Sequence, residues 1–520
     1  MGISVYNTLV RKAVPFTPRE PGKVSIYVCG LTPYSYAHLG HLRPAVVWQA
    51  IRNYLEYRGF QVTLVQNFTD IDDKIIERAS ASGLPAEQIA RTFIGDYLRA
   101  VDRLELRFAD AYPRVTRHIP QVLEMVQRLV ERGHAYAADG SVYFDVTTFP
   151  PYGKLSGQRQ DALEAGARIE PDERKRHPAD FALWKAAKPG EPSWPSPWGP
   201  GRPGWHIECS AMSLHYLGFG FDFHGGGTDL IFPHHENEVA QSEAYEGRDG
   251  FVRYWLHNGL VNVRAEKMSK SLGNFTTARE ILDRYPGTLV KFYLLSTHYR
   301  SPLEFTPTSL DEARPGWDRL NEAYRRLAAF EPLLVGLGRQ RPERWLEEAL
   351  PAAWRPADET EGRALEAVRA LRPAFEAAMD DDFNTARAIG ALFELVRETN
   401  PLAERVGSAA GIDTASPAPA GLVLGAAYAL LRRFARELLG IVDPAGAAEA
   451  LGTAPDRGEQ RLLESLVSLV LELRQKARSE RRFEEADELR RRLGEMGLTV
   501  EDTPAGPRWK MQPSVRERIS

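Results

Sequence analysis

The chain has 520 residues, 43% of them hydrophobic and 26% charged, which is enough for several folded domains and excludes a disordered protein as the default. Its formal net charge of −4 excludes a protein that coats nucleic acids non-specifically, although a local basic face could still bind RNA. The two cysteines exclude a disulfide scaffold, and the sequence has neither a signal-peptide pattern nor an apolar run of membrane-spanning length, so we expect a cytoplasmic protein.

The N-terminal part predicts alternating strands and helices. A β-rich run over residues 24–29 is followed by a polar loop, by a helix from about Pro44 to Arg58, and by a second strand over residues 61–65. Two strands joined through a helix form a parallel pair with a right-handed crossover. We therefore predict an α/β fold with a nucleotide-binding, Rossmann-type parallel sheet.

The rest of the chain predicts regions of different character. Residues 84–135 have helical periodicity, whereas residues 143–204 lack it and indicate an ordered but irregular excursion rich in Pro, Gly and Trp. From about residue 310 to 440, Ala, Leu, Arg and Glu recur at helical spacing, which is typical of a helical bundle. A last helix over residues 460–496 precedes a strand-like end.

The motif His38-Leu39-Gly40-His41 lies between the first predicted strand and its helix. Phosphates bind at helix N-termini, where free N–H groups and the helix dipole point at the ligand, and two imidazoles can donate further hydrogen bonds there. Gly40 leaves room for an adenine ring against the backbone. Taken alone, this short pattern more often consists of two ordinary surface histidines than of a nucleotide site.

A second motif, Lys267-Met268-Ser269-Lys270-Ser271, lies far downstream. The ammonium groups of Lys267 and Lys270 could neutralise the charge on a departing pyrophosphate, whereas the ordinary interpretation is a solvated basic turn. The pair of motifs is far more specific than either one. Together they resemble the class I aminoacyl-tRNA synthetases, in which both motifs hold ATP while the aminoacyl-adenylate forms.

The two cysteines are candidates for a metal site. Cys29 ends the first predicted strand, and Cys209 lies in the second half of the same predicted fold. If Pro233 opens a helix, His234 and Glu238 stand at positions i and i+4 on one face. Adding both thiolates gives a Cys₂-His-Glu zinc site, although any one of these residues is more often structural than a metal ligand.

This candidate metal site extends the resemblance to one family, the cysteinyl-tRNA synthetases, in which a zinc ion binds the thiolate of the substrate. The resemblance runs nearly from end to end of the chain. Its further segments are Tyr6-Asn7-Thr8-Leu9, Gln66–Lys74, Gly153–Gly157, Asp180–Lys185, Trp205–Ser213, His257-Asn258-Gly259 and the stretch from Phe483 to Trp509.

The resemblance implies roles for individual residues. The implied zinc ligands are Cys29, Cys209, His234 and Glu238. The implied lining of the cysteine pocket is Thr32 and Trp205. The implied ATP contacts are His38, Gly40, His41, Asp229 and Lys270, with His38, His41, Lys267 and Lys270 acting in catalysis. The implied cofactors and partners are one zinc ion per chain, Mg²⁺ with ATP, L-cysteine and tRNA(Cys), in a monomer that does not bind membranes.

The expected domains follow from the motifs and from the change in composition. A Rossmann-type catalytic domain spans residues 1–310, with an inserted connective segment at about 100–225 and the second motif in a region at about 255–310. A helical bundle that binds tRNA spans residues 311–455, and a C-terminal anticodon-recognition domain spans residues 456–520.

The loop before the first motif departs from the family pattern. Leu31, Pro33 and Ser35 replace the residues that the family usually has there, and His41 stands where bacterial members more often have Asn. These departures leave two alternatives open. One is a cysteine ligase of the mycothiol-biosynthesis type, which needs no anticodon-reading end, and the other is a non-catalytic paralogue. The long helical and C-terminal regions favour the tRNA ligase, and the intact motifs favour an enzyme.

Overall fold

The computed structural model describes residues 2–158, 173–263, 277–334, 338, 341–407, 418–443, 487, 489, 491–493, 498–503 and 506–511. Within these residues no helix combines the length and the apolar character that a membrane crossing requires. The motif that contains Lys267 and Lys270 lies outside the described residues, and so does most of the predicted last helix.

The strands, in chain order, form several small sheets. They are β1 (Ser4–Asn7), β2 (Lys12–Pro15), β3 (Lys23–Val28), β4 (Gln61–Gln66), β5 (Ala135–Ala138), β6 (Ser141–Phe144), β7 (Phe181–Ala186), β8 (Gly201–Pro203), β9 (Phe221–Gly227), β10 (Val252–Asn258), β11 (Val261–Val263), β12 (Leu303–Phe305), β13 (Leu498–Thr503) and β14 (Gly506–Met511). The sheet with the order β10-β9-β3-β4 is parallel throughout, and the sheet with the order β5-β6-β7-β8 is antiparallel.

Helices occur along the whole described chain and account for most of its second half. They are α1 (Leu39–Tyr57), α2 (Asp73–Ser82), α3 (Ala86–Arg103), α4 (Ile119–Glu131), α5 (Trp205–Leu217), α6 (Glu236–Glu246), α7 (Ala278–Arg284), α8 (Gly287–Leu295), α9 (Ser309–Ala328), α10 (Pro342–Ala349), α11 (Glu359–Asp380), α12 (Thr385–Val406) and α13 (Pro419–Leu431). The packing of α11, α12 and α13 against one another confirms the predicted helical bundle.

The predicted strand–helix–strand unit is confirmed as β3–α1–β4. The two strands pair in parallel from Lys23 opposite Gln61 to Val28 opposite Gln66. The helix begins at Leu39 rather than near Pro44, because His38 caps it: the His38 side chain accepts a hydrogen bond from the Gly40 N–H. The carboxyl ends of all four parallel strands therefore meet at one edge of the sheet, at the N-terminus of α1.

The prediction of an ordered but irregular excursion over residues 143–204 was wrong for residues 181–186 and 201–203, which form strands. The described part of this region contributes β7 and β8, and it completes an antiparallel sheet with β5 and β6. Strands of three to six residues are too short to display a clear alternating pattern in the sequence. The helical prediction for residues 84–135 was right for α3 and α4 but not for the stretch between them.

The parallel sheet and the bundle share one continuous hydrophobic core. On the sheet side, α1 lies so close to β9 that a Cβ on Gly225 would stand 2.0 Å from Trp48 Cζ2, so only glycine fits. On the bundle side, the buried Asp382 carboxylate accepts hydrogen bonds from the Tyr6 N–H and the Tyr299 hydroxyl, both at 2.8 Å. These hydrogen bonds tie the bundle to β1 and to the segment that follows α8.

Candidate active site

A cavity of ≈ 500 Å³ opens at the carboxyl edge of the parallel sheet. Ligands bind at this edge in open α/β sheets because loops diverge there and helix N-termini point into the gap. The structure brings most of the predicted site residues to its wall: Cys29, Thr32, His38, Gly40, His41, Trp205, Cys209, Asp229 and His234. Glu238 lies directly behind the wall, in contact with Cys29 and His234.

The two histidines of the first motif stand at the N-terminus of α1. Their rings stack with centroids 3.8 Å apart and an interplanar angle of 26°. Burial lowers the pKa of His38, and burial together with the neighbouring His38 lowers the pKa of His41 to about 3. Both imidazoles are therefore neutral at pH 7. The pair adds N–H donors to a helix end that already favours phosphate groups.

Cys29, Cys209, His234 and Glu238 lie together in one cluster, in which Cys29 is half-buried and the other three residues are buried. The Cys29 and Cys209 sulfurs lie 3.6 Å apart as free thiols, and Cys29 Sγ lies 3.5 Å from His234 Nε2 and 3.6 Å from Glu238 Oε1. Regular helix α6 begins only at Glu236, but the turn that precedes it already places His234 and Glu238 on one face, at positions i and i+4. Their Nε2 and Oε1 atoms lie 3.0 Å apart. All four ligand atoms lie within 4.8 Å of one another.

A second donor set overlaps the first and consists of Cys29, His224, His235 and Glu238. Of its members only Cys29 lines the cavity, so an ion held there would be shielded from a bound ligand. His224 Nε2 already contacts Glu238 Oε2 at 2.9 Å, and His235 Nδ1 contacts His257 Nε2 at 2.8 Å. His224 and His235 therefore lie behind the first donor set and hold its residues in place.

The supporting histidines orient the candidate ligands. His206 Nδ1 lies 3.0 Å from His234 Nδ1, which leaves His234 Nε2 directed at Cys29 and Glu238. Outer contacts of this kind fix the tautomer and ring orientation of metal-binding histidines. His224 orients the Glu238 carboxylate by contacting its Oε2 atom, whereas Cys29 contacts Oε1.

The charges in the cluster favour metal binding. Burial raises the pKa of Cys29, whereas a hydrogen bond from Cys29 lowers the pKa of Cys209 to about 6, so one thiol loses its proton readily. Burial opposes ionisation of Glu238, but the charges of His224 and His234 lower its pKa to about 2. Burial opposes protonation of His234, but the charge of Glu238 and the contact with Cys209 raise its pKa to about 10, so this imidazole balances the buried carboxylate and a bound cation would take over that role.

The remaining predicted residues shape the cavity. The Trp205 indole stacks on the His234 ring at 4.6 Å and is 39% exposed, so its free face is available to a ligand. Asp229 follows β9 in a short turn, and a Cβ on Gly227 would lie 2.2 Å from its Oδ1, so only glycine leaves room for this carboxylate. Thr32 lines the same cavity.

Sequence reasoning missed several residues at this site. His206, His224, His235 and His257 form a buried network around the candidate ligands, yet none of them was assigned a role. No local pattern in the sequence distinguishes these four histidines, because their burial and mutual contacts join separate elements. Asn258, at the end of β10, also lines the cavity, and the sequence singled it out only within the segment His257-Asn258-Gly259.

Comparison with known families places these observations in context. Residues 15–315 match the family of class I (C) tRNA synthetase catalytic domains, residues 374–443 match the DALR domain, and residues 465–509 match the cysteinyl-tRNA ligase anticodon-binding domain. Among solved structures, the methionyl-tRNA synthetase of Mycobacterium tuberculosis in complex with methionyl-adenylate aligns with a TM-score of 0.61 at 16% identity, covering 84% of this chain and 95% of that one. That likeness concerns the fold alone.

Fold, motif and matched families together define a class I aminoacyl-tRNA synthetase. The cysteine–tRNA ligase of Pelotomaculum thermopropionicum is 51% identical to the chain, covering 98% of this chain and 100% of the relative. That of Moorella thermoacetica is 49% identical, covering 97% and 99%. The chain belongs to the cysteine–tRNA ligase family.

Proposed function

We propose that the chain activates L-cysteine with ATP, forming cysteinyl-adenylate and pyrophosphate, and then transfers cysteine to the 3′-terminal adenosine of tRNA(Cys). The observation that carries this proposal is the Cys₂-His-Glu cluster in the wall of the cavity at the α1 N-terminus. It puts a thiol-selecting group beside a phosphate-binding helix end, which is the pairing that cysteine activation requires.

We propose that Cys29, Cys209, His234 and Glu238 hold one zinc ion. Two sulfurs, one imidazole nitrogen and one carboxylate oxygen within 4.8 Å of one another suit the tetrahedral preference of zinc. Zinc supplies affinity for a thiolate by lowering the pKa of a thiol that binds it.

This donor set explains selection against serine. A serine hydroxyl is a harder and much less acidic ligand than a thiol, so it gains little from a zinc centre. Selection by a bound metal gives far larger discrimination than a pocket that senses size alone. Trp205 and Thr32 then have only to close the cavity around the small substrate side chain.

For adenylate formation, the residues of the chain position and neutralise charge. The substrate carboxylate attacks the α-phosphate in line, and no protein nucleophile is needed. Neutral His38 and His41 donate hydrogen bonds to the triphosphate, the backbone at Gly40 approaches the nucleoside, and Asp229 offers its carboxylate to the ribose hydroxyls. Mg²⁺ accompanies ATP. Lys267 and Lys270, which lie outside the described residues, are assigned to the leaving pyrophosphate.

The tRNA partner is supported by the C-terminal half of the chain. The matches to the DALR domain and to the cysteinyl-tRNA ligase anticodon-binding domain favour a tRNA ligase over a cysteine ligase that acts on an amino-sugar. We propose that residues 311–455 form the tRNA-binding bundle, that residues 456–520 form the anticodon-recognition domain, and that the protein is a monomer.

The test is aminoacylation of a tRNA(Cys) transcript by purified protein with ATP and radiolabelled cysteine, before and after zinc removal by a chelator. We expect charging with cysteine, loss of charging on chelation, its return on addition of zinc, and no charging with serine. Pyrophosphate exchange with cysteine but without tRNA charging would contradict the tRNA step. Neither activity in folded, zinc-loaded protein would overturn the whole proposal.

A further inference from the structure

The loop between α11 and α12 has a strained backbone inside the protein. Asp382 and Phe383 both have positive φ angles, 57° and 52°, in the left-handed region that residues with a side chain rarely adopt. Both residues are buried, at 5% and 1% exposure. Such a conformation costs free energy, so it persists only where the surrounding contacts determine it, and it is concentrated at functional sites.

The Asp382 carboxylate makes these contacts outside the bundle. Its Oδ1 accepts hydrogen bonds from the Tyr6 N–H of β1 and from the Tyr299 hydroxyl, both at 2.8 Å. Its Oδ2 accepts from the Arg300 guanidinium at 2.5 Å, and that guanidinium also lies over the Tyr6 ring, 4.3 Å from the ring centroid. The Asp382 N–H donates to the Ser4 carbonyl at 2.9 Å. One residue of the bundle is thus bound to two separate segments that precede the bundle in the chain.

The segment that binds Asp382 also supports the wall of the active-site cavity. The Tyr299 carbonyl accepts a hydrogen bond from the Gly259 N–H at 2.8 Å, and Gly259 lines the cavity. The Arg43 guanidinium of α1 donates to two further carbonyls of the same segment, at 3.2 and 2.7 Å. Residues 298–301 are therefore held by the motif helix through their carbonyls and by the bundle through their side chains.

The two steps of the proposed reaction need different parts of this arrangement. Adenylate formation takes place within the cavity, whose wall Arg43 keeps in place without help from the bundle. Transfer adds a second requirement, because the body of the tRNA lies on the bundle in the proposed function while its 3′-terminal adenosine must reach the cavity. A misplacement of about 1 Å that arises far from the reacting atoms can slow a reaction on the order of 100-fold. The junction between bundle and cavity wall therefore matters more for transfer than for activation.

We propose that Asp382 is a positioning residue for the transfer step, and that it holds the tRNA-binding bundle in place against the cavity wall through Tyr299 and Arg300. This inference rests on the proposed function, since it requires tRNA on the bundle and cysteinyl-adenylate in the cavity. Asp382 itself touches neither substrate. Its loss slows the transfer of cysteine to tRNA and leaves the activation of cysteine and the affinity for tRNA nearly unchanged.

The experiment separates the two steps with zinc-loaded, full-length protein. ATP–pyrophosphate exchange measures activation, and single-turnover transfer from enzyme-bound cysteinyl-adenylate to saturating tRNA(Cys) transcript measures the second step. We expect Asp382→Asn to lower the rate constant of transfer on the order of 10- to 100-fold. The rate of exchange, the KM for ATP and the KM for tRNA should stay close to the wild-type values.

Two further variants test the same contact from the partner side. Tyr299→Phe removes one hydrogen bond to Asp382 and keeps the buried ring, and Arg300→Gln removes the charge that faces the carboxylate. Each should slow transfer, and the double variant Asp382→Asn/Arg300→Gln should be no slower than the slower single variant, because groups that act through one contact are not additive. Tyr299→Phe, the mildest of these changes, carries the test if Asp382→Asn does not fold.

Asp381 provides a matched control one residue away. Its side chain is 65% exposed, and its carboxylate pairs with Arg387 of α12 at 3.6 Å, within the bundle. Asp381→Asn removes the same charge from the same loop but leaves the contacts of Asp382 with Tyr299 and Arg300 in place. We therefore expect wild-type rates of both exchange and transfer in this variant.

The outcomes separate this inference from the proposed function. Wild-type protein without cysteine-dependent exchange, or without transfer to tRNA, contradicts the proposed function itself. An unchanged rate of transfer in folded Asp382→Asn, with or without a raised KM for tRNA, overturns the role of Asp382 and leaves the function standing. Equal losses of exchange and transfer, together with a lower melting temperature, assign Asp382 a structural role and also overturn the inference.

Discussion

Replacement of Arg43 should disturb both the stability of the protein and its use of ATP. The guanidinium is 1% exposed and has no carboxylate partner among the described residues. It donates instead to four backbone carbonyls: those of Gly259 at 2.8 Å, Leu260 at 3.2 Å, His298 at 3.2 Å and Ser301 at 2.7 Å. One side chain of the motif helix thus holds two separate segments beside the cavity.

The size of the effect follows from these contacts. A hydrogen bond from a charged donor contributes about 1.5–3 kcal/mol, so loss of the two short ones alone should cost about 3–6 kcal/mol in Arg43→Met. That is a large part of the roughly 5–15 kcal/mol that stabilises a folded protein. Burial lowers the pKa of Arg43 to about 10, so the charge persists at pH 7. Lysine keeps the charge but cannot span both segments.

Two measurements test this reasoning. Thermal and urea unfolding should rank wild type above Arg43→Lys and Arg43→Met, and pyrophosphate exchange should give a raised KM for ATP in both variants. The second effect is expected because Gly259 lines the cavity and packs against Ser301 so closely that a Cβ would stand 2.2 Å from its carbonyl oxygen. Unchanged unfolding and an unchanged KM for ATP in Arg43→Met would refute the assigned role.

Three further predictions concern other parts of the molecule. Cys209→Ser should reduce bound zinc, measured by metal analysis of purified protein, from one ion per chain to near zero, because one of two thiolate ligands is lost. In the folded protein the pKa of His41 is lowered to about 3, whereas in the unfolded chain it is about 6.5. Between these two values only the unfolded chain binds a proton at His41. His41 alone should therefore contribute about 2 kcal/mol to the loss of stability from pH 7 to pH 5, in addition to the losses from His206, His235 and His257, whose pKa values are also lowered. In urea unfolding, His41→Asn should make the fall about 2 kcal/mol smaller than in the wild type. Asp382→Ala removes acceptors from the Tyr299 hydroxyl and the Arg300 guanidinium, so it should cost about 2–4 kcal/mol in unfolding and reduce tRNA charging more than pyrophosphate exchange.

Each of these predictions has a clear contrary result. Full zinc content in Cys209→Ser would mean that the ion is held by another donor set. An identical pH dependence in His41→Asn would assign the acid sensitivity to other groups. Equal losses of tRNA charging and pyrophosphate exchange in Asp382→Ala would place the effect of this carboxylate in the catalytic part rather than in its contact with the bundle.

Local sequence patterns predicted the parts of the site that depend on neighbours along the chain. The His38–His41 motif requires only a strand followed by a helix, and both are encoded by periodicity over residues 24–65. The pairing of His234 with Glu238 follows from helical spacing, and it formed although regular helix begins only at Glu236. The short strands β7 and β8 were not predicted, because three to six residues carry too little periodic signal.

The sequence by itself determined the fold class and the two motifs, because residue type and spacing encode them, and its resemblance to a family indicated the four candidate zinc ligands. Only the tertiary structure decided which side chains support them. His206, His224 and His257 come together with the ligands from separate elements. The Asp382 carboxylate likewise binds Tyr299, which belongs to a distant segment of the chain. Burial and hydrogen-bond satisfaction depend on contacts between residues remote in the chain, which no local pattern contains.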